Sequence, residues 1–239
     1  MRMRGRVVRG KRLLLRQTGQ LFGASPCTVL VKYTPEGVAL WAKRTFGRVY
    51  GVTAFPEGGF VTTGEGWVDS DPAFLARHKP DGSQVWCQEA RHHAMPRDSI
   101  SALVFGTASG GRAVTLDSTG NILVAGLFRG NVTFGPGQDK AITLVGGVHW
   151  NILVSNYSPA GQLAWVVHGR GKEDKGNLFA HGIALGKDGD AFVIANSEST
   201  FQYDTAMKWG AKDTTEIPGL RSRCFIAKLR GGAPQPAGD

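Results

Sequence analysis

Residues 29–41 read VLVKYTPEGVALW. An apolar strand, Val29–Tyr33, runs into Pro35-Glu36-Gly37, and four residues later stands Trp41. Proline presets φ for the second position of a turn, and glycine accepts the positive φ that closes a short hairpin. The same sentence recurs twice, as AFLARHKPDGSQVW at 73–86 and ILVSNYSPAGQLAW at 152–165. Composition alone allows about 0.04 occurrences of Pro-x-Gly-x-x-x-Trp in a chain like this, so three copies define a repeat. Each copy is a β-hairpin, here the first hairpin of a unit. Its tryptophan is expected to fill the space between stacked sheets.

A second hairpin follows each first one. Its turns centre on Gly58, Gly120 and Gly189. The incoming strands are Gly51–Ala54, Ala113–Leu116 and Gly182–Leu185, and the outgoing ones Phe60–Thr63, Ile122–Ala125 and Ala191–Ile194. Six residues past each turn glycine stands a small residue, Gly64, Gly126 or Ala195. These runs are small and apolar on both sides of the pleat, as in strands buried on two faces, and are read as the inner strands of the array. Partial copies bracket the repeats: Arg6–Val8, Gly10 and Leu13–Leu15 resemble a degraded second hairpin, and Arg223–Leu229 opens a further first hairpin. The sum is about fifteen strands. Repeat spacing is uneven, and the extra length falls in Gln88–Gly111 and Arg129–Trp150, which are read as insertions on one face, where repeat folds place binding loops.

Paired four-stranded units of this length arranged radially make a β-propeller. The expected fold is therefore all-β: a propeller of about four blades of paired antiparallel hairpins, open or part of a larger ring. A linear solenoid is the competitor. Residues 1–20 form a basic segment, 21–230 the repeat domain, and 231–239 a Gly/Pro tail read as unstructured. An open ring leaves strand edges unpaired, which invites self-association.

Composition agrees. The 239 residues are 41% hydrophobic and include 34 glycines, about twice the usual share of roughly 7%, as many tight turns require. The net charge of +9 is concentrated at Arg2, Arg4, Arg6, Arg9, Lys11, Arg12 and Arg16. The rest is nearly neutral, so a phosphate-tracking surface for nucleic acid is not expected. The longest early apolar run, Leu13–Leu15, is too short for a signal peptide, and no run suits a membrane span. Cys27, Cys87 and Cys224 are scattered and odd in number, fit neither a disulfide framework nor zinc, and are read as small hydrophobes in strands.

Once these repeats are laid out, the chain resembles the bacterial β-propeller repeat family of the SBBP type. The units of that family run F-x-G, F-G, D-x-F-V-A-K-Y, G-x-x-x-W-A, then G-x-A-x-D-x-x-G-N-x-Y-V-x-G-x-F. The nearest copy here is Val114–Phe128, continued through Gly130, Phe134-Gly135, Asn151–Tyr157, Gly161 and Trp165; Cys224–Leu229 matches the usual closing strand. The resemblance covers roughly residues 27–230. The Asp117-to-Asn121 turn is intact only once, the other copies reading Phe55–Gly59 and Gly186–Asp190. The resemblance implies architecture and an exported or surface-associated bacterial protein, and no particular chemistry.

Candidate sites are sparse, and no catalytic, cofactor or metal residue is assigned. Asp117-Ser118-Thr119-Gly120-Asn121 and Asp188-Gly189-Asp190 carry oxygen ligands, but neither supplies the six to eight that calcium takes, and these residues also favour turns. His92-His93 with His78 is a candidate metal set, because Arg91–Asp98 reads as loop; on a strand the neighbours would point to opposite faces. Asp69, Asp71, Glu173 and Asp174 are candidate glycosidase carboxylates. Gly110-Gly111 and Gly146-Gly147 precede strands, so no helix start cradles a phosphate there. Trp67, Trp150 and Trp209 lie outside the repeated position and, if exposed, would stack on a sugar or anchor a protein. The expected function is a non-enzymatic binding or scaffold module contacting a protein or glycan through variable inter-hairpin loops. The alternative is a propeller-type hydrolase or lyase with carboxylates in loops or a central channel; a third is binding of nucleic acid or an anionic surface by residues 1–20.

Overall fold

A computed structural model describes residues 6–8, 12–14, 28–45, 47–66, 72–93, 108–170, 176–198, 208–209 and 224–229. These residues form antiparallel β-structure, and none is helical. The first hairpins are β3 (Val29–Tyr33) with β4 (Ala39–Arg44), β7 (Ala73–His78) with β8 (Gln84–Glu89), and β14 (Asn151–Tyr157) with β15 (Leu163–Arg170). The second hairpins are β5 (Arg48–Ala54) with β6 (Phe60–Glu65), β10 (Ala108–Leu116) with β11 (Ile122–Arg129), and β16 (Asn177–Leu185) with β17 (Ala191–Glu198). At the start, β1 (Arg6–Val8) pairs with β2 (Arg12–Leu14), the degraded hairpin of the sequence.

A second hairpin and the first hairpin that follows it share one sheet. The second sheet runs β5-β6-β7-β8. The third runs β10-β11-β14-β15 and continues to β18 (Lys208–Trp209). The fourth runs β16-β17-β19, with β19 at Cys224–Leu229. The first consists of β3-β4, and β1-β2 is a separate two-stranded sheet without a ladder to it. No ring closure joins the first and fourth sheets among the described residues.

All six hairpin turns have one construction. In the first hairpin of the second sheet, Lys79 N–H donates to Ser83 O and Gly82 N–H to Lys79 O; Ser158, Gln162 and Gly161 repeat this in the third. In the second hairpins, Phe55/Gly59, Asp117/Asn121 and Gly186/Asp190 make the corresponding pair. Such three-residue loops need a left-handed residue, and the glycines supply it.

The sheets stack face to face through two apolar layers. Between the second and third sheets lie Phe55, Val61, Leu75, Val124, Leu153 and Tyr157. Between the third and fourth lie Ala125, Leu127, Ile152, Val154, Leu178 and Val193. Two expectations are corrected here. In the second and third sheets the strand buried on both faces is the second, β6 or β11, with Val61–Gly64 and Ile122–Phe128 buried; the incoming stretches Gly51–Ala54 and Ala113–Leu116 lie at the sheet edge and are half-buried or exposed. The insertions, read as the place for binding loops, contain strands that join: β12 (Asn131–Phe134) pairs with β13 (Ile142–Val145) on one side and with β9 (Arg91–His92) on the other. Val132, Phe134 and Leu144 carry this small sheet into the first apolar layer.

The repeated tryptophan has a defined task. Trp41 Nε1 donates to Pro80 O at 3.3 Å, and Trp86 Nε1 to Pro159 O at 3.3 Å, so these two indoles cap the Pro-x-Gly corner of the following sheet. A cation reaches the same carbonyl: Lys32 Nζ to Pro80 O at 3.4 Å, and Arg77 Nη1 to Pro159 O at 2.8 Å. A Cβ on Gly82 would lie 2.9 Å from Trp41 Cη2, and one on Gly161 3.1 Å from Trp86 Cδ2. The corner glycine is thus fixed twice, by its positive φ and by the ring lying on it. For Trp41 and Trp86, proline, glycine and tryptophan are thus linked across units, each indole lying on the corner of the following sheet; Trp165 packs against the second apolar layer.

Candidate binding surface

The three incoming edge strands share a feature that hydrophobic periodicity does not reveal. Each contains a β-bulge at the same place: between Val49 and Gly51, between Gly111 and Ala113, and between Ala180 and Gly182. The bulged residues are Tyr50, Arg112 and His181. Bulges re-aim one side chain and gather beside functional sites. They also explain the small residue after each second turn. A Cβ on Gly64 would meet Arg48 O at 1.8 Å, and one on Gly126 would meet Gly110 O at 2.5 Å, because the bulged strand bends towards its partner there.

Around the bulges stands a row of polar groups. Tyr50 Oη donates to Glu65 Oε1 at 2.5 Å, and Arg48 Nη1 reaches the same oxygen at 3.1 Å. Arg112 crosses from the third sheet, with Nη2 3.5 Å from Glu65 Oε2 and its guanidinium 4.2 Å from the Tyr50 ring centre. Burial, followed by the bond to Glu65, raises the Tyr50 phenol above its ordinary range, so the hydroxyl stays a donor. In the fourth sheet, His181 Nε2 is hydrogen-bonded to Asn196 Oδ1. Asn196 and Glu65 are repeat equivalents, each one residue past the small residue. The row therefore combines an exposed aromatic ring, two guanidinium groups, a carboxylate, an imidazole and an amide along one edge of the stack.

The residues singled out from sequence fall elsewhere. Asp117 is a turn residue: Oδ1 accepts from Thr119 N, Thr119 Oγ1 and Asn121 N, and Oδ2 from Asn121 Nδ2. Burial works to raise its carboxyl, but these hydrogen bonds outweigh it and hold the group below its ordinary value. Asp190 and Asp188 face Lys228 Nζ at 2.5 and 4.0 Å. His92 and His93 do point apart, His92 Nε2 to Ser109 Oγ at 2.8 Å and His93 Nε2 to Thr133 Oγ1 at 2.7 Å; Arg91–His92 is strand and not loop. His78 lies in a different sheet, stacked on Phe60 at 4.7 Å and bonded to Thr62 Oγ1 at 3.0 Å. No group of three or more His, Cys, Asp or Glu stands ready for a metal among the described residues.

Trp150 is not a free platform. It is half-buried against the second apolar layer, and the Arg129 guanidinium lies 4.6 Å over its ring. Trp67, the side chain of Trp209, the carboxylates Asp69, Asp71, Glu173 and Asp174, Cys27 and the 231–239 tail lie outside the described residues, as does most of segment 1–20. Cys87 and Cys224 lie in β8 and β19 as expected of strand residues, but they are exposed and not core. Gly110-Gly111 belongs to β10, where a Cβ on Gly111 would collide with Thr63 Oγ1, so close sheet packing accounts for it. Between the second and third sheets, Thr63, Leu75, Gly111, Leu153, Ser155 and Tyr157 line a gap with about 20 Å³ for water-sized occupants, room for a single water. No helix is long and apolar enough to cross a membrane among the described residues. No family model matches the chain, and no curated protein matches it.

Proposed function

We propose that this chain is a non-enzymatic binding module: a propeller-type array of about four blades, akin to the SBBP repeat proteins, that contacts a protein or glycan at the bacterial surface or outside the cell. The single observation that supports it most is the bulge repeated at one position in three edge strands, at Tyr50, Arg112 and His181, of which Tyr50 and His181 are exposed. A rigid stack that spends a backbone irregularity three times at its edge is arranged to present side chains. This edge is the better candidate surface than the Trp150 loop, because Tyr50 is exposed whereas Trp150 is half-buried against the second apolar layer. Aromatic and planar hydrogen-bonding groups side by side suit a saccharide ring, which offers an apolar face and a rim of hydroxyls.

Among the described carboxylates, Glu65 is held by arginines, Asp117 by its own turn, and Asp188 and Asp190 by Lys228. The stacking surface and not a carboxylate pair is thus the natural first target. The test is a glycan microarray of neutral and acidic oligosaccharides, probed with the full chain and with Tyr50→Ala and Arg112→Ala. The expected result is selective binding that falls about tenfold or more in either variant, the loss of roughly 1.4 kcal/mol. Selective binding unchanged in both variants would remove the edge from consideration. Hydrolysis of a bound oligosaccharide would overturn the non-enzymatic reading.

A further inference from the structure

Repeat equivalence turns exposure at the two ends of the stack into information. Ile194 and Ile226 are direct cross-strand partners on the outer face of the fourth sheet. Their equivalents in the third sheet are Ala125 and Val154, and in the second Thr63 and Leu75. Ala125 and Val154 are each 0% exposed, packed under the fourth sheet, whereas Ile194 is 52% and Ile226 66% exposed. At the opposite end, Val29 and Tyr33 face away from the second sheet. Their equivalents in the third sheet, Leu153 and Tyr157, are buried against the second, yet Tyr33 is 57% exposed where Tyr157 is 6%. The corner beside them is also bare: a Cβ on Gly37 would meet nothing within 4 Å, while Gly82 and Gly161 are each covered by an indole.

We propose that these two faces bind each other between copies of the chain, the fourth sheet of one packing on the first sheet of the next, head to tail. The occupant is a second copy because this chain carries both halves of the fit. Inside one copy, the outer face of each sheet packs on the facing side of the next, between the second and third sheets and again between the third and fourth. Docking the fourth sheet on a first sheet continues that interface by one further step. Ile194 and Ile226 on one face, and Val29 and the Tyr33 ring on the other, keep the apolar character of the buried layers. Such a contact is heterologous: each copy uses two different patches, so it grows into a chain or closes into a ring.

Sedimentation velocity of the full chain over a wide concentration range tests this, with Ile226→Glu blocking one face and Tyr33→Glu the other. Both positions are exposed, and circular dichroism verifies folding; Ile194→Glu and Val29→Glu replace any variant that fails that check. The intact chain is expected to reach at least about twice the mass of one copy, and each variant alone to associate at least about tenfold more weakly. An equimolar mixture of the two variants is expected to form a one-to-one dimer and nothing larger, because each supplies the face the other has lost. A strictly monomeric intact chain would overturn the proposal, whether the faces bind each other within one copy or bind another protein. Association that survives both substitutions, or variants that fail to complement, would overturn it as well.

Discussion

In the third sheet, Leu153 and Tyr157 are buried; in the first, Val29 and Tyr33 hold the same positions of the same hairpin and stand in solvent. The strands, the turn and the spacing of proline, glycine and tryptophan are alike. What differs is the neighbour: the third sheet has one on each side, whereas the first meets the second sheet on one face, through residues that include Trp41, Lys32 and Lys43. A repeat specifies which residues face outward along the stack, and burial then follows from what lies there. The same apolar residue is core in one copy and exposed surface in another.

Truncation of the two tyrosines is the largest break in this comparison. Tyr157→Ala should cost about 3–5 kcal/mol in urea unfolding, as for other large buried rings, while Tyr33→Ala at concentrations where the chain is monomeric should cost less than about 1 kcal/mol. Equal costs would mean that the first sheet is covered in solution. Next is the bulge. Gly126→Ala drives a Cβ towards Gly110 O and should cost about 1–3 kcal/mol, whereas Ala195→Gly at the equivalent place in the fourth sheet should cost only about 0.5–1 kcal/mol. A neutral Gly126→Ala in thermal unfolding would show that the bulge can relax.

The tryptophans sharpen the comparison further. Trp86 borders the first apolar layer and Trp41 lies at the open end, so Trp86→Phe should lower stability by about 1 kcal/mol more than Trp41→Phe, although both lose a 3.3 Å bond to a proline carbonyl. The smallest expected effect is on pH dependence. Burial lowers His168 in the third sheet, with Arg170 adding to it, and burial also lowers His78 in the second, against an opposing backbone bond at Gly82. For both, the unfolded state binds protons more readily. Their contribution is fully present above the ordinary value of 6.5 and is lost as pH falls below it through the folded values. Melting temperature should therefore decline on acidification below 6.5, and less so in His168→Gln.

Much of the fold was legible because its signals are local. Pro35-Glu36-Gly37 and its two copies, with the turn glycines Gly58, Gly120 and Gly189, mark turns by backbone preference alone, and all six hairpins lie where those turns put them. The site was less legible. Tyr50, Arg112 and His181 share no chemistry, so no pattern of residue type joins them; only the small residues Gly64, Gly126 and Ala195 hinted that something crowded the opposite strand. Asp117, which looked like a ligand, is consumed by its own turn, and His92 and His93 by neighbours brought in from Ser109 and Thr133. Hydrogen-bond partners so far along the chain leave no mark in local sequence.

The amino-acid sequence by itself determined the hairpins, their turns and their repetition, because φ preference and side-chain size act within a few residues. The packing of the chain decided that Trp41 and Trp86 cap the following corner, that strands of the two insertions join in one small sheet, and that the three edge strands bulge in register. These features depend on distances between segments dozens of residues apart, which the packing of one sheet on another sets and local preference does not encode.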